Sequence, residues 1–288
     1  MFMLENKTMA HPCYNCGAGK NARIHLPVAP KCNISCNYCV RKYDCPNESR
    51  PGVTAEVLTP IRAAERFAYY RGKMDHLQVV GIAGPGDALA NPSETLETFR
   101  LVREIDPDIT LCLSTNGLML PHYAQELSEI GVSHVTVTLN TVDPKIGAKI
   151  YKYVDYLGSV YTGIEAAELL LRNQLAGLKA LKNQGAVCKV NTVTLRGIND
   201  QQIEKIAQTV RRMGVNIHNV MRMIPVAGSK FEGLKPLSEE ELAAVRSKGA
   251  LHMKQMYHCG QCRADAIGTL TPVKSGGRES VWGSLCTV

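Results

Sequence analysis

The stretch Cys32-Asn33-Ile34-Ser35-Cys36-Asn37-Tyr38-Cys39 constrains this chain more than any other. Three cysteines stand at the spacing C-x3-C-x2-C, just after a short apolar run over 24–29. Three thiolates on one loop can hold three irons of a 4Fe–4S cluster, which leaves the fourth iron open to chelate a small molecule. Ferredoxin runs differ, because they supply a fourth cysteine for each cluster and leave no iron open. A structural zinc knuckle is the alternative reading of the same residues.

The chain carries 11 cysteines in all. Residues 1–10 lack the apolar core of a secretion signal, so a disulfide scaffold is not expected; metal binding or catalysis in a reducing cytoplasm is. No run of 18 apolar residues exists, so no membrane span is expected. Cys259-Gly260-Gln261-Cys262 is a C-x2-C pair, a metal signature in such a chain. With His11, Cys13, Cys16, Cys45 and Cys112, that pair could anchor two further iron–sulfur clusters, histidine replacing a cysteine where needed. A single zinc on Cys13, Cys16, Cys259 and Cys262 is the structural alternative. Cys188 and Cys286 are left unassigned. The formal charge is +7, but no basic block or basic–aromatic stripe appears, so no nucleic-acid partner is expected. Bound thiolates are anionic, and part of the basic excess is expected to balance them.

Strands are expected over 24–29, 77–83, 109–114, 134–140, 187–194 and 216–224. Helices are expected over 54–71 with Thr54 as N-cap, and over 93–105, 123–130, 144–151, 165–183, 201–213 and 238–246. A Tyr/Gly-rich connection separates the fourth and fifth helices. Strands alternating with helices imply an α/β fold, a parallel sheet with helices outside, whose functional residues gather at the C-terminal strand ends. Alternation puts Cys112 and Ser114 on one face of the third strand, and His134, Thr136, Thr138 and Asn140 on one face of the fourth. These polar faces should line a lumen. If Asn191 also faces it, Cys188 faces the helices.

The cysteine loop, with an aromatic just before its third cysteine, resembles the radical S-adenosylmethionine (SAM) superfamily. The resemblance implies a partial (β/α)6 TIM-like barrel, here over 23–248. It would carry an irregular N-terminal cluster-binding extension over 1–22 and a C-terminal cluster-binding tail over 249–288. It implies that Cys32, Cys36 and Cys39 hold a 4Fe–4S cluster whose open iron chelates SAM, and that one electron cleaves SAM to methionine and a 5′-deoxyadenosyl radical. Gly84-Pro85-Gly86-Asp87 looks like the superfamily's glycine-rich loop, although Asp87 stands where glutamate is frequent; Gly84, Gly86 and Asp87 are thus candidate SAM contacts. Ser114, Asn116, Asn140 and Asn191 are plausible ribose and carboxylate contacts, and Tyr38 would lie beside adenine. Asn116 before Gly117 is also a turn signal.

The run from Pro30 to Val53 closely resembles the NifB family of nitrogenase cofactor maturases. So do His11-Pro12-Cys13, Gly84 to Asn91, Cys112 to Gly117, and Cys259 to Ala266. The resemblance implies an enzyme that fuses two 4Fe–4S precursor clusters around a carbide derived from a SAM methyl group. With an added sulfur the product is an 8Fe–9S–C cluster. His11, Cys13, Cys45, Cys112, Cys259 and Cys262 would hold the precursors, with Cys16 in reserve. Glu48 and Arg50 would position SAM or balance cluster charge. Implied partners are an electron donor such as ferredoxin or flavodoxin, an iron–sulfur cluster donor, and a nitrogenase cofactor assembly scaffold or carrier. Longer members carry a NifX-like domain, so this chain looks like a short, stand-alone form. A peptide-modifying radical SAM enzyme with auxiliary clusters and a non-catalytic iron–sulfur or zinc scaffold are the competing readings.

Overall fold

The computed structural model describes residues 2–270, so Cys286 lies outside the described residues. In chain order the elements are α1 (Phe2–Ala10), β1 (Ala22–His25), β2 (Ile34–Cys36), α2 (Pro60–Arg71), β3 (Leu77–Ile82), α3 (Pro92–Ile105), β4 (Thr110–Thr115) and α4 (Leu120–Ile130). They continue with β5 (Val132–Thr138), α5 (Pro144–Ile150), β6 (Tyr151–Tyr156), β7 (Ser159–Tyr161), α6 (Gly163–Asn183), β8 (Val187–Thr194), α7 (Ile203–Arg212), β9 (Ile217–Arg222), α8 (Glu239–Ala250) and β10 (Ile267–Thr269).

The main sheet runs β10-β1-β3-β4-β5-β8-β9. Its strands are parallel except β10, which pairs antiparallel with β1. The expected six parallel strands are present, and the tail, expected to be irregular, adds the seventh. The sheet curls into a partial barrel. Leu111, Leu113, Val135, Val137 and Val190 face outward and join Phe67, Phe99, Leu127 and Leu178 of the helices in the main core. Cys188 is buried in that outer layer, as alternation requires. The opposite face carries Cys112, His134, Thr136, Thr138, Lys189 and Asn191 into the lumen.

Four local expectations are corrected. The N-terminal extension over 1–22, expected to be irregular, opens on helix α1 (Phe2–Ala10). Helix α2 starts at Pro60, not Thr54. Thr59 accepts from the Arg62 amide as N-cap, and Pro60 fits the first turn because its missing N–H would lack a partner there. Thr54 instead donates to Asp44 at 2.6 Å. The cysteine stretch is not wholly a loop: Ile34–Cys36 is a strand in a second, antiparallel sheet, β2-β6-β7. The Tyr/Gly-rich connection is the β6–β7 hairpin of that sheet, turning at Leu157 and Gly158, both at positive φ.

Candidate metal centre in the barrel lumen

The segment that enters the cysteine stretch is stitched to the Gly84–Asp87 loop. Ala29 N–H donates to the Gly84 carbonyl (3.3 Å), Gly86 N–H to Ala29 (2.6 Å), Asp87 N–H to Lys31 (2.8 Å) and Cys45 N–H to Pro85 (2.9 Å). A Cβ on Gly86 would lie 2.1 Å from the Lys31 carbonyl oxygen, so this close approach requires glycine. The Asp87 carboxylate accepts from the amides of Leu89, Ala90 and Asn116 and from the Thr115 hydroxyl. Burial pushes its carboxyl up against those donors. The loop after β3 therefore clamps the cysteine stretch, and Asp87 ties it to the end of β4.

Beneath this clamp is a pocket lined by Cys32, Cys36, Cys39, Cys45, Asn47, Glu48, Asp87 and Asn116. Asn116 Nδ2 lies 3.9 Å from Cys32 Sγ, and Asn47 Nδ2 lies 3.8 Å from Cys36 Sγ. Arg41 donates to the Pro30 carbonyl at 2.9 Å, and its charge acts on the Cys39 thiol. Burial pushes the Cys32 thiol up to about 12 and raises Cys36 and Cys39 as well. These sulfurs are neutral thiols until a metal displaces their protons. Three thiols in one pocket, two of them with an amide N–H near sulfur, suit a cluster whose bridging and terminal sulfurs accept such bonds. Cys45 stands with this trio: the charges of Cys39, Cys32 and Cys36 all bear on it.

Tyr38 is fully buried. Its hydroxyl donates to Asn47 Oδ1 and accepts from Asn140 Nδ2 at 2.7 Å. The Asn140 oxygen accepts from Val193 N–H. Asn191 Nδ2 donates to the Asn47 carbonyl (3.1 Å), and its oxygen accepts from Asn219. These residues brace the walls. Asn116 lines the pocket and donates to Asn33, while Ser114, on the lumen face of β4, is not among the pocket's lining residues.

A second group occupies the N-terminal end of the lumen, opposite to the strand ends where functional residues were expected. Helix α1 and residues 11–18 close that end. Thr8 Oγ1 lies 3.0 Å from His134 Nε2, and the His11, Tyr14 and His134 rings pack at 4.7–4.9 Å. Tyr14, Val187, Ile217 and Met256 form a small core on which Cys13, Cys112 and Cys259 pack. The tail brings Cys259 and Cys262. Arg50 N–H donates to the Cys262 carbonyl (2.8 Å), Arg50 Nη2 donates to Gly260, and His258 donates to the Pro12 carbonyl. Arg50 is exposed and faces the tail. Cys16 begins a short 3-10 turn, Cys16–Ala18, beside this group. His11 is buried; its Nδ1 accepts from Cys13 N–H, which leaves the proton on Nε2, an atom with no partner. Burial, with His134 and Lys189 nearby, holds His11 well below the ordinary imidazole range. Among the described residues no three His, Cys, Asp or Glu side chains gather closely enough to hold a single metal ion.

Glu48 stands between the two levels. One oxygen accepts from Thr138, the other is buried without a partner, and burial pushes its carboxyl up to about 7. Asn47 and Arg41 lie inside the Pro30–Val53 run but carry no role in the sequence reading, and Arg23 and Lys189 lie outside every motif. Alternation with Asn191 does place Lys189 on the lumen face.

Residues 26–210 match the radical SAM superfamily. The chain is 46% identical to the FeMo cofactor biosynthesis protein NifB of Chlorobaculum tepidum, covering 92% of this chain and 63% of that one. It is 48% identical to that of Klebsiella pneumoniae (93% and 58%) and 45% to that of Azotobacter vinelandii (92% and 53%). It thus spans little more than half the length of these curated relatives. Among solved structures, methylornithine synthase (PylB) superposes with a TM-score of 0.51 at 13% identity, covering 99% of this chain and 85% of that one. His-tagged anSMEcpe with bound AdoMet gives 0.50 at 16% identity, covering 71% and 50%. Both likenesses concern the fold.

Proposed function

Since the chain belongs to the radical SAM superfamily, we propose that it matures the nitrogenase cofactor, fusing two 4Fe–4S clusters and a SAM-derived carbon into an 8Fe–9S–C cluster. The observation that carries this reading is the lumen: a three-thiol pocket above, Cys13 and Cys112 below, the tail's Cys259 packed on both groups, Cys262 beside Arg23, and Glu48 between. The likeness to curated NifB proteins supports the same substrate class.

Cys32, Cys36 and Cys39 would hold the SAM-binding cluster, which when bound supplies the electron that cleaves SAM. Asn47 and Asn116 direct N–H groups at the sulfurs of Cys36 and Cys32, and Arg41 would offset part of the cluster's charge. The β2-β6-β7 sheet and the Gly84–Asp87 clamp hold the segment that carries these three cysteines in place. Cys13, Cys112, Cys259 and Cys262 would receive the precursor clusters, which are substrates; His11 and Cys45 are the further candidates. His11 can coordinate through Nε2 only after its proton moves to Nδ1 and the Cys13 amide loses its acceptor. Glu48, near neutrality in its titration, is placed to take or give a proton between the levels. Proximity is the need that this stacking meets, since both precursors must reach one transferred carbon. The implied electron donor, cluster donor and product carrier belong to this same reading.

The test is isotopic. Anaerobically reconstituted protein receives SAM labelled at the methyl carbon, a reductant and a sulfur source, and the extracted cluster is assayed for label and for activation of cofactor-free nitrogenase. Label in an activating cluster is expected. SAM cleavage with no label in any extracted cluster would defeat the reading and favour a different radical SAM substrate. In the Cys32→Ala, Cys36→Ala, Cys39→Ala variant, 5′-deoxyadenosine formation should disappear.

A further inference from the structure

The lower level of the lumen contains two buried cations and little negative charge to meet them. Lys189 reaches in from β8. It is 7% exposed, and its ammonium lies 5.0 Å from the centre of the Tyr14 ring. No carboxylate pairs with it among the described residues. Glu48 is the carboxyl whose charge interacts with it, from the level above. Arg23, 6% exposed, donates to the carbonyls of Gly268 and Thr269 and, at 2.9 Å, to Cys262 Sγ. Its Nε is buried without a partner. The field of Lys189 acts on Cys13 and Cys112, and that of Arg23 on Cys13. A buried ammonium beside neutral thiols is poorly compensated; the same ammonium beside metal-bound thiolates and sulfides is not.

We infer that Lys189 and Arg23 form a cationic cradle for the sulfides and thiolates of an iron–sulfur cluster in the lower chamber. Lys189 balances the cluster's charge, and Arg23 donates to the sulfur of Cys262. The inference rests on the proposed cluster-holding role of Cys13, Cys112, Cys259 and Cys262. Reduction adds negative charge to a cluster, so a fixed cation beside it favours the reduced form. Charge and hydrogen bonds at the sulfurs are recognised determinants of cluster potential. Lys189 and Arg23 are themselves buried, so salt screens this effect only weakly. Lys189 is thus a positioning and tuning residue for the substrate clusters.

The experiment uses the full chain carrying Cys32→Ala, Cys36→Ala and Cys39→Ala, so that only lower-chamber clusters give signals. It is reconstituted with iron and sulfide. Adding Lys189→Met, which keeps chain length and removes charge, should move the cluster midpoint to more negative potential and speed iron loss to a chelator. Lys189→Arg should restore both. The metal-free Lys189→Met protein should melt at the same or a higher temperature than its parent, because an uncompensated buried charge has gone. An unchanged midpoint and unchanged iron retention in Lys189→Met overturn the inference. A lower melting temperature without metal identifies Lys189 as a structural residue and overturns it too. If the parent holds no iron at all, the ligand reading itself fails, and this inference with it.

Discussion

Tyr38 shows how a residue beside a reactive site can serve the fold instead. Its ring is sealed in the second core cluster, and its hydroxyl bridges Asn47 and Asn140. Tyr38→Phe leaves two buried partners unsatisfied. It should cost about 1–3 kcal/mol in a denaturation experiment, while SAM affinity changes little. A tenfold loss of SAM affinity at unchanged stability would return Tyr38 to the adenine. His218 offers a separate pH test. It is fully buried against Thr192 and Gln255, and burial lowers it from 6.5 to about 3. The unfolded chain takes up a proton near pH 6.5 while the folded chain refuses it down to about 3. Stability is therefore present above pH 6.5 and falls as the pH drops, by at most about 1.4 kcal/mol per unit. Chemical denaturation between pH 7 and 4 should show His218→Gln losing less stability than the parent; identical slopes would refute this origin. The cysteine trio is legible in sequence because its chemistry depends on spacing within eight residues. The duties of Asp87, Tyr38 and Asn140 are not, because their partners are set by the closure of the barrel: Thr115 and Val193 lie 28 and 53 positions away.

The same contrast holds for elements. Alternation and helical period locate all six parallel strands and most helices, because each buries an apolar face on the barrel wall. The start of α2 is misplaced because Thr54 and Thr59 are both acceptable caps and only the tertiary partner, Asp44, separates them. β2, β7 and β10 are each three residues long, too short for a periodic signal, and they form only where a partner strand is presented. The clamp between residues 29–31 and 84–87 is the element on which the cysteine pocket depends. Gly86→Ala would drive a methyl into the Lys31 carbonyl. It should destabilise the protein by about 1–3 kcal/mol and lower iron bound by the trio, read by iron analysis of protein also carrying Cys112→Ala and Cys259→Ala. Full iron retention in that background would show that the clamp is dispensable.

At the scale of the molecule, the barrel is closed at one end by the chain's own beginning and along one edge by its tail. Removing residues 2–16 takes away His11, Cys13 and Tyr14 and uncovers His134 and Lys189. The truncated protein should keep the trio's iron and its 5′-deoxyadenosine formation but lose lower-chamber iron. Retention of all iron would exclude the N-terminal segment as a ligand source. The position of the tail has a consequence for the order of events during synthesis. Cys32, Cys36 and Cys39 are neighbours in sequence, and a short loop brings them together. Cys13, Cys112, Cys259 and Cys262 meet only when contacts spanning up to 246 positions, such as His258 to Pro12, have closed, and closing long loops is the slow, entropically costly part of folding. As the chain leaves the ribosome, the local trio is therefore complete first. The far end of the lumen is complete only after Cys262 has been made and docked on Arg23 and Arg50, so on the proposed reading precursor clusters would be admitted to a finished barrel and not to a growing one.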